Sequence, residues 1–333
     1  MMVSFCWLKS ALNVSAGEGA TNVSWSGEAE SHRQHTRIIS TLLILTSVVG
    51  APLNGLALWV LGFRVRRKNR FVVYVVNLLA SDFLFLFFQA VHSVCRFAGV
   101  GGASRFLLSF RCVIVACNEA SAYLLTWISV ERFLGVAFPI WWRVSRTKDS
   151  AVLASWLIWG LSIGLATLYG VIRATDIQPA AKEGLVAMEF ALAFLAPFLV
   201  FTLANVLILC GSKRSSRKTT KLYRAITLNA VIFLMCWVPY HTCVFLHYQA
   251  LSARRPALCV SAYYGAYYSV CLLHIKSCVI PLIYISISNE LKVKFRESLP
   301  SIFERRFSEE SGLSSPVPDN EATVRSERNS AQK

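Results

Sequence analysis

Seven stretches of this chain are long and apolar enough to cross a lipid bilayer, and that feature removes most folds from consideration. A helix needs roughly 20 apolar residues to traverse the hydrocarbon, because each residue advances only about 1.5 Å. The stretches fall at residues 38–63, 71–95, 106–138, 150–172, 185–211, 222–248 and 261–287. None shows the period-two alternation of a membrane strand, which argues against a β-barrel. Inside hydrocarbon a backbone amide finds no water, so an open segment must satisfy its own hydrogen bonds as a helix. The expected fold is therefore all-α, a seven-transmembrane helix bundle. Composition agrees: 55% of residues are hydrophobic and 16% charged, against about 25% charged in soluble domains.

The charge balance orients the bundle. The formal net charge is +16, and the clusters RVRRKNR (64–70), WWRVSRTK (141–148) and SKRSSRKTTK (212–221) all lie in loops on one side. Basic loops stay cytoplasmic, so the N-terminus is expected outside and the C-terminus in the cytosol of a plasma-membrane protein. The opposite loops are poorer in basic residues. No cleavable leader is expected, since MMVSFCWLKSALNVS has no basic segment ahead of its apolar patch. Residues 1–37 then form an extracellular tail carrying two glycosylation sequons, at Asn13 and Asn22. Residues 38–287 form the membrane domain. In 288–305, Leu291, Val293, Phe295 and Leu299 recur at helical spacing, as in a short amphipathic helix on the membrane surface. Residues 306–333 are polar and serine-rich, a disordered cytoplasmic tail. Most of the ten cysteines are single and sit in apolar runs, where a thiol acts as a small hydrophobe.

Charges inside the spans are the informative residues, because each costs roughly 2.5–3.5 kcal/mol at the bilayer centre. Asp82 lies in span two, Glu119, Glu131 and Arg132 in span three, Glu189 in span five and Lys276 in span seven. By default such groups face the bundle interior and act there. The plainer reading is a satisfied pair that only joins helices, and at the membrane edge Glu131 and Arg132 could snorkel. Pro197, Pro239 and Pro281 mark spans five, six and seven as kinked, movable helices, although proline is commoner in spanning helices generally.

Taken in order, these residues resemble the rhodopsin-like (class A) G protein-coupled receptors over about 38–305. The motifs are GAPLNGLALWV with Asn54, NLLASD with Asp82, SVERFLGVAFPI, Trp156, Pro197, FLMCWVPYH and IPLIY. Parts of the chain are also similar to the Mas-related, free fatty acid, hydroxycarboxylic acid and formyl-peptide chemoattractant receptors. The resemblance implies that Arg132, Glu131 and Tyr284 serve G protein coupling, with Glu131 the resting partner of Arg132. It implies an activation switch of Phe233, Trp237, Pro239 and Pro281. It implies an extracellular ligand, a heterotrimeric G protein of the inhibitory class, arrestin and receptor kinases as partners, and no cofactor. The mechanism implied is a population shift: agonist binds the open state better.

The departures from the family pattern are as telling. The usual loop disulfide cannot form: Leu107 stands at one cysteine position, and RATDIQPAAKEG has none. Cys6 and Cys259 could pair instead, with Cys95 another candidate. In the family the Asp82 position helps hold sodium, and Ser121 and Ser277 match two further positions of that site. Lys276 stands where an asparagine is common, and Ile280 replaces the asparagine before the proline. The expected polar core is therefore Asn54, Asp82, Ser121, Lys276 and Ser277, with the ammonium paired to Asp82 where sodium would sit. The plainer alternative turns Lys276 toward a neighbouring helix or a water cavity.

Two ligand readings stay open. Ile114 occupies the position where amine receptors carry an aspartate, which on that resemblance argues against a monoamine ligand. Glu119 and Glu189 could hold a basic peptide or cationic mediator, with His241, Tyr264 and Tyr267 lining the pocket. Alternatively Arg173 and other outer basic residues would draw a carboxylate or lipid mediator, although Val186 and Ala266 occupy two positions of the fatty acid receptors' arginines. An enzyme is not expected: no metal-ligand spacing, phosphate loop or nucleophile elbow appears. Nucleic acid is not an expected partner. The competing classes are a channel or transporter and, because of Phe133 and Ile280, a constitutively active or scavenging receptor.

Overall fold

The structure, a computed structural model, describes residues 21–64, 70–98, 105–145, 147–175, 179–212, 220–253 and 255–287. The surface helix expected at 288–305, the tail at 306–333, Asn13 and Cys6 lie outside the described residues, as do the side chains of Asn22 and Tyr284.

Seven helices are long and apolar enough to cross a membrane. The helix of span one is Thr21–Trp59, closed by a π-helical turn at Val60–Arg64; it begins ahead of the apolar run that starts at 38, and its stretch apolar enough to cross a membrane is Glu30–Gly62. Span two is Arg70–Phe97, span three Arg105–Ala137 and span four Lys148–Ala174. Span five runs Pro179–Phe190, widens into a π turn at Ala191–Leu195, and continues as Ala196–Ser212. Spans six and seven are Thr220–Ser252 and Pro256–Ile287. A short helix, Pro139–Ser145, follows span three. Hydropathy does not announce it, because seven residues are too few to register in a span-length window. No strand occurs among the described residues.

Burial shows which faces meet lipid. Val48, Trp156, Leu157 and Met235 expose 66–71% of their surface, which only hydrocarbon around the bundle makes tolerable. Span three lies at the centre, against spans two, four and five, while span seven packs on spans six and one. Their shared core includes Leu78, Leu79, Leu86, Leu124, Leu125, Phe233, Trp237 and Ile280. Span one approaches closely at Gly50, where an added Cβ would lie 2.4 Å from Cys278 Sγ and 2.8 Å from Leu86.

Local chemistry satisfies the backbone where helices begin or bend. Thr147 caps span four by accepting from the Ser150 amide at 3.3 Å. In span five the π turn leaves one carbonyl stranded. The Ala196 amide donates to Ala191, five residues back, and the next residue, Pro197, has no N–H. The Leu192 carbonyl thus loses both helical donors, and the Tyr123 hydroxyl of span three donates to it at 2.5 Å.

Candidate functional site

Polar side chains gather inside the bundle in three tiers. The deepest is built on Asp82 and Lys276, 0% and 1% exposed. Lys276 Nζ lies 3.8 Å from Asp82 Oδ1. Ser121 joins them: its hydroxyl accepts from Lys276 at 3.0 Å and donates to Asp82 Oδ1 at 2.9 Å. Ser277 donates to the same oxygen at 2.8 Å. Asn54 closes the tier through its amide, which donates to the Ser277 carbonyl at 3.0 Å and to Gly50 at 2.9 Å. Asp82 Oδ2 has no hydrogen-bond partner among the described residues. The five residues expected to form a polar core are thus neighbours, drawn from spans one, two, three and seven.

Above them Glu119, 3% exposed, sits with Oε1 3.8 Å from His241 Nε2 and accepts from Asn118 at 3.4 Å. Lys276 is within electrostatic reach of both Glu119 and His241. Glu189 senses Glu119 on one side and Arg173 on the other. From His241 a column of rings descends: Trp237 at 4.7 Å between centroids, Phe233 a further 4.7 Å on, and Phe201 4.5 Å beyond that. Phe194 of the π turn touches both His241 and Trp237, at 5.2 Å each. Trp237 Nε1 is buried without a hydrogen-bond partner among the described residues.

The outermost tier is cationic and aromatic. Arg173 stacks over Tyr169 at 4.0 Å and donates to the Tyr248 hydroxyl at 2.6 Å. Arg111 faces the same Tyr169 ring at 5.9 Å, and Arg96 lies 5.5 Å over Tyr267. Tyr264 is engaged from span one instead: its hydroxyl pairs with His32 Nδ1 at 3.1 Å, and its ring lies 4.6 Å from that of His35. Cys259 is disulfide-bonded, while the other described cysteines are free. Its expected partner, Cys6, lies outside the described residues.

At the opposite end Glu131 accepts from the Tyr74 hydroxyl at 3.2 Å, and that hydroxyl accepts from Trp127 at 3.0 Å. Arg132 lies 5.1 Å over Phe71. Arg70 sits 4.6 Å over Trp142 and so ties the short helix to span two. On that helix Ile140 and Val144 are 82% and 78% exposed. Pro239 and Pro281 lie inside spans six and seven.

Sequence reasoning missed Arg111, Tyr74, Tyr123 and Arg70. Arg111 carried a signal, an arginine within the apolar run of span three. Tyr74 and Tyr123 carried none, because their importance lies in a partner on another span, and Arg70 stood out only as one of the basic cluster 64–70. Among the described residues no group of three His, Cys, Asp or Glu could hold a metal ion.

Seven apolar spans closing around a buried ionic core define a multi-pass membrane protein of the seven-helix receptor class. Residues 53–284 match the family described as "7 transmembrane receptor (rhodopsin family)", and the chain belongs to that family. It is 30% identical to the human Proto-oncogene Mas over 88% of this chain and 91% of that protein. It is 35% identical to the macaque (Macaca mulatta) Mas-related G-protein coupled receptor member X2 over 62% of this chain. With the mouse (Mus musculus) Mas-related G-protein coupled receptor member A6 it shares 32% identity over 74% of this chain. The aligned region spans 64% of the length of the macaque relative.

Proposed function

We propose that the chain is a cell-surface receptor that passes an extracellular ligand's binding to a heterotrimeric G protein. It lies in the plasma membrane with its N-terminus outside, Asn13 and Asn22 glycosylated, and its basic loops in the cytosol. The observation that carries this reading is the column His241–Trp237–Phe233–Phe201, each step a ring contact of 4.5–4.7 Å. It begins beside Glu119 in the outer half of the bundle and runs toward the end bearing Arg132. Close-packed interiors respond to a displaced ring by repacking into a second arrangement rather than by yielding smoothly. A ligand that moves His241 or Trp237 therefore shifts spans five and six together.

The far end supports a protein partner. Ile140 and Val144 stand open beside Arg132's span, and exposed apolar side chains of this size in the cytosol suit a groove on another protein. Coupling to the inhibitory class follows the branch that the sequence resembles. Arrestin and receptor kinases would act on the serine-rich tail. In the core, Lys276 stands in for a bound sodium ion, a reading supported by its 3.8 Å separation from Asp82.

The test is nucleotide exchange on purified G proteins of each class, by receptor in membranes, across peptide and small-mediator libraries. Ligand-stimulated exchange is expected, lost in Arg132→Ala and weakened in Ile140→Ala. Solute flux without exchange in any class would replace this reading with a transporter.

A further inference from the structure

We propose that the outer mouth grips a carboxylate between Arg111 and Arg173, so that the ligand is an organic acid with an aromatic or apolar body. This deepens the receptor reading above, on which it rests for the consequence of binding, though not for binding itself.

The two guanidinium groups come from different spans and meet at one ring. Arg111 of span three and Arg173 of span four lie 5.9 Å and 4.0 Å from the centroid of Tyr169. They are within repulsive electrostatic reach of each other. Two like charges near one ring raise the energy of the empty site, and an anion between them lowers it. Arg173 is held by Tyr248 through a 2.6 Å hydrogen bond, which fixes the direction of its fork.

Arg111 also faces groups on other spans. Besides Arg173 and the His92 imidazole of span two, Tyr169, Tyr240, Tyr263 and Tyr267 of spans four, six and seven lie in its electrostatic reach. These four are phenols, uncharged at neutral pH. Arg111 is exposed, yet it reaches three spans across the bundle, which sets it in the open mouth rather than on the lipid flank. Guanidinium offers five donors in a planar fork that matches a carboxylate in two parallel bonds.

The surroundings select the ligand's sign and body. Arg96, 5.5 Å over Tyr267, adds a third guanidinium to the rim. Against these stands the carboxylate of Glu189, which lies in electrostatic reach of Arg173. Among Arg96, Arg111, Arg173 and Glu189 the balance is positive, which favours an anion over a cationic peptide. Glu119, which the sequence suggested as an anchor for a cation, is buried deeper and already faces His241 and Asn118. The remaining lining is tyrosine, whose faces suit an aromatic or apolar body.

The experiment uses the full-length receptor in lipid nanodiscs without G protein, with phenylacetate, phenylacetamide and phenethylamine as probes in saturation-transfer NMR. Phenylacetate is expected to bind, and the amide and amine to bind far more weakly. Arg111→Gln and Arg173→Gln should each weaken the acid by about tenfold to a hundredfold, as expected for loss of a charge-assisted hydrogen bond. Arg111→Lys should restore part of that loss. If Arg173→Gln unfolds because it leaves Tyr248 and Tyr169, Arg111→Gln carries the test, its melting point checked against the wild type. Equal binding of acid and amide, preference for the amine, or no acid binding in the millimolar range overturns the proposal. Acid binding without nucleotide exchange would sink the receptor reading and leave this site standing. Exchange driven only by amines or basic peptides would do the reverse.

Discussion

Replacing Lys276 by methionine, which keeps an unbranched chain one atom shorter and removes the charge, isolates the ionic core. The ammonium lies 3.8 Å from Asp82 Oδ1. At an effective dielectric constant of 20 that separation corresponds to about 4 kcal/mol of attraction. Both side chains are 1% exposed, so neither ion can turn to water once the other is gone. Removing one partner from a buried pair typically costs about 3–5 kcal/mol, whereas replacing both with neutral groups of similar size costs far less. Lys276→Met and Asp82→Asn should therefore each destabilise the receptor by a few kcal/mol, and the double variant by much less than their sum. The coupling expected from the cycle is about 3 kcal/mol. The assay is thermal unfolding of the four purified proteins in nanodiscs, each in sodium and in choline buffer. Wild type should melt alike in both. Lys276→Met frees the place beside Asp82, Ser121 and Ser277 for a sodium ion, and should gain stability from sodium through mass action. Additive single variants, or strong sodium stabilisation of the wild type, would refute the tethered-cation reading.

Other substitutions test other joints. Tyr123→Phe strands the Leu192 carbonyl at the π turn, and should lower stability by about 1–3 kcal/mol in the same melting assay. Gly50→Val drives carbon into Cys278 and Leu86; destabilisation of about 1–3 kcal/mol is expected, and lowered yield of monodisperse receptor would report it. Cys259→Ser removes the disulfide of span seven and should cost about 2–5 kcal/mol, with reducing agent lowering the melting point of the wild type but not of the variant.

What the sequence determined by itself were the spans, because crossing hydrocarbon is a local requirement met residue by residue within one segment. The same locality made Asp82, Glu119 and Lys276 stand out: a charge among apolar neighbours is conspicuous wherever its partner lies. The meeting of Asp82 and Lys276 was legible through the family resemblance, which sets both at one sodium-binding position, although Ser121's place between them as acceptor and donor depended on coordinates. The tertiary structure alone decided the rest. Span one's helix begins well before its apolar run, because its outer turns hold His32 and His35 against Tyr264 and Tyr268. Tyr123 reads as an ordinary apolar-span tyrosine until span five's π turn leaves Leu192 without a donor. Arg173 meets Tyr169 one turn away on its own helix, but only packing brings Arg111 of span three to that ring. Hydropathy is a sum over neighbours in the chain, whereas a site is a set of distances between segments that the chain order leaves unstated.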